Sequence, residues 1–107
     1  MIKLFFLGTS SGKTSIKRNH TSIYFQFDNT NLLVDCGDGI SKSILQNNIP
    51  FNSIKNIFIS HLHADHFTGI ASLITQMKLE NRSDELNIYV YKSFVDNIKF
   101  LLGSTYM

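Results

Sequence analysis

Four side chains that can bind a metal ion lie within six residues of this 107-residue chain: His61, His63, Asp65 and His66. All four offer nitrogen or oxygen donors, a set that suits zinc first and manganese, iron or cobalt as substitutes. In an extended segment, residues two apart point the same way, so His61 and His63 can bind one ion together. Asp65 and His66 are adjacent and diverge, so they can reach a second ion. The spacing therefore favours two metals, and the alternative is a chance cluster on a solvated loop.

A pair of metal ions indicates a particular kind of hydrolysis. Divalent ions about 3.5–4 Å apart can share a hydroxide and stabilise both the attacking and the leaving oxygen of a phosphodiester. Zinc also brings the pKa of its bound water to about 7, which makes hydroxide available at neutral pH. The helical His-Glu-x-x-His motif of zinc proteases is absent, because His61 and His66 are five residues apart and Glu80 is remote. Phosphodiester hydrolysis is thus favoured over peptide hydrolysis.

The composition is that of one soluble globular domain, which we expect to span residues 1–107. Hydrophobic residues make up 43% and charged residues 17%, which argues against disorder. The formal charge of +2 is too small to indicate nucleic acid by long-range attraction alone. Cys36 is the only cysteine; it cannot form an intramolecular disulfide and is interpreted as a small packed residue in a reducing compartment. Without a signal peptide or a membrane-spanning run, we expect a cytoplasmic protein that does not enter membranes.

Short apolar strands and amphipathic helices are predicted to position the metal-binding cluster. Alternation and apolar runs predict strands over residues 2–7, 21–27, 32–35, 56–60 and 86–91. Apolar residues at helical spacing predict helices over 39–47 and 70–81, and a third beginning with Ser93 as N-cap; residues 103–107 have no predicted element. The cluster therefore follows the fourth strand and precedes the second helix.

The same residues carry a family resemblance. His61-Leu62-His63-Ala64-Asp65-His66 after a strand matches the second motif of the metallo-β-lactamase fold without a gap. Further stretches narrow the match: Leu7-Gly8-Thr9-Ser10-Ser11-Gly12, Arg18-Asn19 with Thr21-Ser22-Ile23, Leu33-Val34-Asp35-Cys36-Gly37-Asp38-Gly39, and Ile59-Ser60-His61 through Gly69-Ile70. From residue 2 to about residue 91 the chain resembles the N-terminal half of ribonuclease Z, the zinc endonuclease that removes 3′ trailers from precursor tRNA.

The resemblance implies an α/β (α+β) fold and roles for individual residues. The fold would be half of an αββα sandwich, a mixed and mainly antiparallel sheet with helices on one face. His61 and His63 would bind the first zinc, and Asp65 and His66 the second, with Asp65 also the general base. Asp35 would orient a ligand imidazole; alternatively, or in addition, it caps the turn that follows its strand.

The loop before residue 20 is where the family is held to meet the 3′ end of tRNA. Arg18 and Asn19 match the family pattern and are the expected substrate contacts. Thr14 and Ile16 stand where the family has Pro and Lys, so one phosphate partner is lost. The alternative for Arg18 is an ordinary solvated charge.

The remaining ligands of a two-zinc site come, in this family, from motifs downstream of residue 107. We therefore expect the chain alone to bind zinc weakly and to have little nuclease activity. Half of a sandwich exposes an apolar sheet face, so we expect a homodimer or a complementing C-terminal half as partner, besides precursor tRNA. Two alternatives stay open: another hydrolase of this fold that acts on a small phosphodiester, and a non-catalytic binding or assembly module.

Overall fold

The computed structural model describes residues 2–8, 22–37, 39–60 and 69–105. Within them lie five strands: β1 (Lys3–Gly8), β2 (Ser22–Gln26), β3 (Asn31–Val34), β4 (Asn56–Phe58) and β5 (Asn87–Tyr89). The α-helices are α1 (Ile40–Gln46), α2 (Ile70–Leu79) and α3 (Val95–Thr105), and short 3₁₀ turns cover Phe51–Ser53 and Lys92–Phe94. All the strands and helices predicted from periodicity are present, with ends shifted by a few residues.

The five strands form one sheet in the order β1-β2-β3-β4-β5. The β1–β2 and β2–β3 pairs are antiparallel, and β3–β4 and β4–β5 are parallel. The antiparallel ladders are the longer ones, which confirms a mixed, mainly antiparallel sheet. A hydrogen bond from the Phe27 N–H to the Thr30 carbonyl, 2.9 Å long, closes the predicted hairpin turn between β2 and β3. Because β3 and β4 are parallel, they end at the same edge of the sheet.

The hydrophobic core lies between one face of the sheet and the helices. Leu33 and Ile57 are buried at the sheet centre, and Ile44 of α1 is buried against the same cluster. From α2 the cluster receives the residues of one helical stripe, spaced three and four apart: Ile70, Leu73 and Met77. The predicted stripes therefore face the sheet, as an amphipathic helix requires.

The other face of the sheet is also apolar but is not buried. Strand alternation places there a set of side chains that are exposed or half-buried, which we call the open sheet face: Leu4, Phe6, Ile23, Phe25, Leu32, Val34, Phe58 and Tyr89. Phe6 is 63% exposed, and it begins a row that runs across all five strands through the paired residues Ile23, Val34, Phe58 and Tyr89. The apolar face expected of half a sandwich is thus present in the described residues.

The C-terminal helix differs from the prediction at both ends. Its first turn begins at Lys92 as a 3₁₀ turn, so Ser93 lies inside this turn rather than before it. The helix continues to Thr105, although residues 103–107 were predicted to join no element. Gly103 costs about 1 kcal/mol relative to Ala inside a helix, which lowers stability without by itself ending the helix. In the part of the chain that is described, no helix has the length and apolar character needed to cross a membrane.

Candidate functional site

The structure describes the surroundings of the predicted metal site rather than its ligands. The predicted ligands and substrate contacts lie outside the described residues: His61, His63, Asp65, His66, Arg18 and Asn19. We call residues 61–68 the ligand segment. It is entered from β4 through Ser60 and left through Gly69, which directly precedes α2. Both flanking residues are described, and so is Asp35, the remaining predicted site residue.

Asp35 lies at the end of β3 and faces the entrance to the ligand segment. It is buried, and its backbone φ of 64° is in the left-handed region, which Asp tolerates better than most residues. Its Oδ1 accepts a hydrogen bond from the Ser60 N–H at 2.7 Å. The Ser60 hydroxyl lies 2.9 Å from each carboxylate oxygen. The carboxylate therefore holds the residue that immediately precedes His61, because the parallel strands β3 and β4 end side by side.

The backbone of Asp35 is fixed by the strands on both sides. Its N–H donates to the Phe58 carbonyl of β4 at 2.7 Å. Its own carbonyl accepts a hydrogen bond from the buried Ser22 hydroxyl of β2 at 2.8 Å. These bonds satisfy main-chain groups that would otherwise be buried without partners. The position of the Asp35 carboxylate is thus set by the sheet.

Gly69, the residue that follows the ligand segment, lies against Cys36 and Gly37. Its N–H donates to the Cys36 carbonyl at 2.7 Å. A Cβ placed on Gly69 would lie within 3.0 Å of both the Gly37 carbonyl oxygen and Ile40 Cγ2, a distance that real Cβ atoms essentially never show. Since the φ of Gly69 is −83°, glycine is needed here for space and not for an unusual backbone conformation.

Cys36 is packed at this site but is not suited to react there. The side chain is fully buried, and burial, followed by the neighbouring Asp35 charge, raises its pKa well above the ordinary range. The group is therefore a neutral thiol at neutral pH, whereas metal binding and nucleophilic attack both need the thiolate. This confirms its interpretation as a small packed residue.

Residue types alone did not identify Ser60 and Gly69. Their signals were position and the family resemblance: Ser60 ends a strand directly before His61, Gly69 directly precedes a helix, and both lie in a stretch that matches the family. The orientation of a ligand imidazole by Asp35 stays a prediction, since its partner would lie in the ligand segment. Among the described residues there is no group of three or more His, Cys, Asp or Glu side chains that could hold a metal ion.

Several ribonucleases Z are similar to this chain. The ribonuclease Z of Archaeoglobus fulgidus is 44% identical over 89 residues, which cover 83% of this chain and 29% of that protein. The ribonuclease Z of Picrophilus torridus is 39% identical over 101 residues, covering 94% of this chain and 33% of the relative. The chain thus spans about a third of the length of these relatives, and the resemblance to ribonuclease Z is confirmed.

Solved structures agree on the fold. The short form of human tRNase Z superposes with a TM-score of 0.87 at 28% identity, over all of this chain and 41% of the other. The metallo-β-lactamase fold protein YhfI of Bacillus subtilis gives 0.79 at 23% identity, over 94% of this chain and 42% of that protein. The metallo-β-lactamase fold is therefore confirmed. A family model described as Anti-Pycsar protein Apyc1 matches residues 2–105. This match covers nearly the whole chain, so the chain belongs to the Anti-Pycsar protein Apyc1 family.

Proposed function

We propose that residues 1–107 form one partial metallo-β-lactamase domain that supplies half of a metal-dependent phosphodiesterase of the ribonuclease Z type. Its substrate would be precursor tRNA, from which it removes the 3′ trailer. The observation that carries this proposal is the 44% identity to a ribonuclease Z over 83% of the chain. The motif from His61 to His66 supports it, since the same segment contains the donor types that such hydrolysis requires.

The donor set of the ligand segment suits zinc. Three imidazoles and one carboxylate are the nitrogen and oxygen ligands that zinc prefers, and manganese, iron and cobalt are the substitutes. His61 and His63 would bind the first ion, and Asp65 and His66 the second. When bound, the metals supply hydroxide at neutral pH and stabilise negative charge on the phosphodiester. The Asp65 carboxylate would accept and return the proton, and Asp35 would help to hold the segment in place.

Substrate contacts are assigned to the loop before β2. The Arg18 guanidinium would make charge-assisted hydrogen bonds to a phosphate near the 3′ end of tRNA, and the Asn19 amide would add a neutral hydrogen bond. We place this activity in the cytoplasm, where the unpaired thiol of Cys36 is compatible with the reducing conditions.

A zinc titration combined with a precursor-tRNA cleavage assay tests the proposal. The chain is assayed alone and together with a C-terminal portion of a ribonuclease Z that carries the remaining ligands. We expect cleavage from the mixture, little from the chain alone, and none from a mixture that contains Asp65→Asn. Asp84→Asn, at an exposed loop position, is the matched control and should leave cleavage unchanged. Full activity of Asp65→Asn would contradict the assigned role, and cleavage by the chain alone would contradict an incomplete site.

A small phosphodiester is the alternative substrate. Two observations favour it: the matching family model does not carry the ribonuclease Z name, and Thr14 and Ile16 depart from the loop pattern of ribonuclease Z. The same mixture can be assayed with bis(p-nitrophenyl) phosphate. Hydrolysis of this ester without cleavage of precursor tRNA would favour the alternative, and the opposite result would favour tRNA.

The open sheet face favours a role in assembly. A contiguous apolar surface that includes Phe6 and Tyr89 is the kind of surface that binds another protein layer. We propose that a second copy of the chain or a complementing C-terminal half covers it. Light scattering on the chain alone tests the first possibility, and a monomer at all concentrations would exclude the homodimer. If the chain forms a dimer and the mixture has no nuclease activity, a non-catalytic module is favoured.

A further inference from the structure

We propose that residues 35–37 act as one anchor for both ends of the ligand segment, and that Ser60 and Gly69 are positioning residues for the metal ligands between them. The part of this inference that concerns metal rests on the proposed function. The anchor itself rests on contacts among described residues only.

At the entrance, one carboxylate engages two donors of the same residue. The Ser60 N–H and the Ser60 hydroxyl both bond to the Asp35 carboxylate, at 2.7 and 2.9 Å. The bond to the Ser60 N–H fixes the peptide plane between Ile59 and Ser60, and the bond to the hydroxyl fixes the Ser60 rotamer. Together they define the direction in which the chain enters the ligand segment.

At the exit, the chain returns to the residue next to Asp35. The Gly69 N–H bonds to the Cys36 carbonyl, and the absence of a Cβ lets the Gly69 backbone lie against Gly37. Asp35 and Cys36 are consecutive, so the residues that carry the two acceptors have Cα atoms about 3.8 Å apart. The two residues that flank the ligand segment, Ser60 and Gly69, are thus bonded to two consecutive residues, Asp35 and Cys36.

Fixing the two residues that flank the ligand segment lowers the conformational entropy cost of binding a metal there. A segment with fixed ends has fewer conformations to lose when its side chains converge on an ion. Groups that hold metal ligands in place without touching the metal typically change metal affinity about 10- to 100-fold when they are removed. The anchor is itself held by β2 and β4 through Ser22 and Phe58, so it provides a fixed reference for both ends.

Amide hydrogen exchange on the metal-free chain tests whether the two ends share one anchor. We expect Ser60→Ala to speed the exchange of the Gly69 amide about tenfold relative to the Leu73 amide of α2, which reports global opening. Ser60→Thr keeps the hydroxyl and should restore slow exchange. Ser43→Ala is the matched control, because it removes a buried serine hydroxyl bonded to the Leu7 carbonyl at 2.9 Å. Unchanged Gly69 exchange in Ser60→Ala would overturn the proposal.

Titration with Zn²⁺ of the mixture with the C-terminal portion of a ribonuclease Z tests the consequence for the metal ligands. Ser60→Ala and Gly69→Ala should each weaken zinc binding about 10- to 100-fold, although neither removes a predicted ligand, and Ser60→Thr should recover it. If Gly69→Ala does not fold, Ser60→Ala carries the test. Unchanged zinc affinity in the folded variants would overturn the positioning role. If the mixture of the wild-type chain with the C-terminal portion binds no zinc, this counts against the proposed function, while the Gly69 exchange still decides for or against the anchor.

Discussion

Asp35 is the residue whose replacement tests the described site most directly. Three substitutions separate its contributions. Asp35→Asn keeps a side-chain oxygen acceptor, and Asp35→Gly removes the acceptor but suits a φ of 64°. Asp35→Ala removes the acceptor and also places a Cβ on a left-handed backbone. Each acts on the same hydrogen bonds to Ser60. The series therefore distinguishes the effect of the carboxylate from that of the backbone conformation.

The expected losses in the free energy of unfolding follow from the contacts. Asp35→Asn loses the charge but keeps an acceptor for the Ser60 N–H, which should cost about 1–2 kcal/mol. Asp35→Gly leaves that N–H without its acceptor and should cost about 2–4 kcal/mol. Asp35→Ala adds the penalty for a left-handed backbone with a Cβ, about 1–2 kcal/mol, partly offset by the smaller entropy of its unfolded chain.

Urea unfolding followed by far-ultraviolet circular dichroism gives these values. The stability order should be wild type, Asp35→Asn, Asp35→Gly, Asp35→Ala. Asn48→Gly is the control for backbone strain, because Asn48 is exposed, has a φ of 57° and lies away from Ser60; its stability should change by less than about 1 kcal/mol. If Asp35→Gly proves as stable as Asp35→Asn, the bonds to Ser60 do not stabilise the fold and the reasoning is refuted.

Three further predictions concern the core, the thiol and the open sheet face. Leu33→Ala should cost about 2–5 kcal/mol in urea unfolding, whereas Leu79→Ala at an exposed position of α2 should change stability by about 0.5 kcal/mol or less; similar losses would contradict the assigned core. The thiol of Cys36 has a pKa of 9.0 in the unfolded chain and a higher pKa in the folded chain. Above pH 9 the unfolded chain therefore loses the thiol proton while the folded chain keeps it. Stability should therefore fall above that pH by about 1.4 kcal/mol per pH unit, and a Cys36→Ala variant that keeps the whole of this slope in urea unfolding would contradict it. In light scattering, Phe6→Lys should convert a dimer to a monomer while Leu79→Lys does not, and equal behaviour of the two would exclude the open sheet face as the interface.

Strong local patterns made most of the fold predictable. The spacing of Ile70, Leu73 and Met77 is sufficient to predict α2 and the side that it buries, because a helix repeats every 3.6 residues. Ends of elements were less predictable. The extension of α3 past Gly103 depends on a small propensity penalty rather than on a clear stop signal.

The candidate site was predictable only as far as its chemistry lies in residue types. Histidine and aspartate at close spacing indicate metal binding wherever the segment lies in space. The contact between Asp35 and Ser60 joins residues 25 positions apart and depends on the parallel pairing of β3 with β4. No local pattern contains that register, and serine and glycine are too common for Ser60 and Gly69 to stand out.

The agreement between sheet order and chain order has a consequence for how the molecule forms during synthesis. Each strand pairs with the strands that precede and follow it along the chain, so the sheet can grow by adding strands at one edge as they leave the ribosome. Residues 35–37 are synthesised early, directly after β3, and can bond to Ser60 and Gly69 only once these residues have been synthesised. At about 5–20 residues per second, the exit of the ligand segment is synthesised roughly two to seven seconds after Asp35. Residues 35 and 36, to which Ser60 and Gly69 bond, are therefore made before the segment between Ser60 and Gly69.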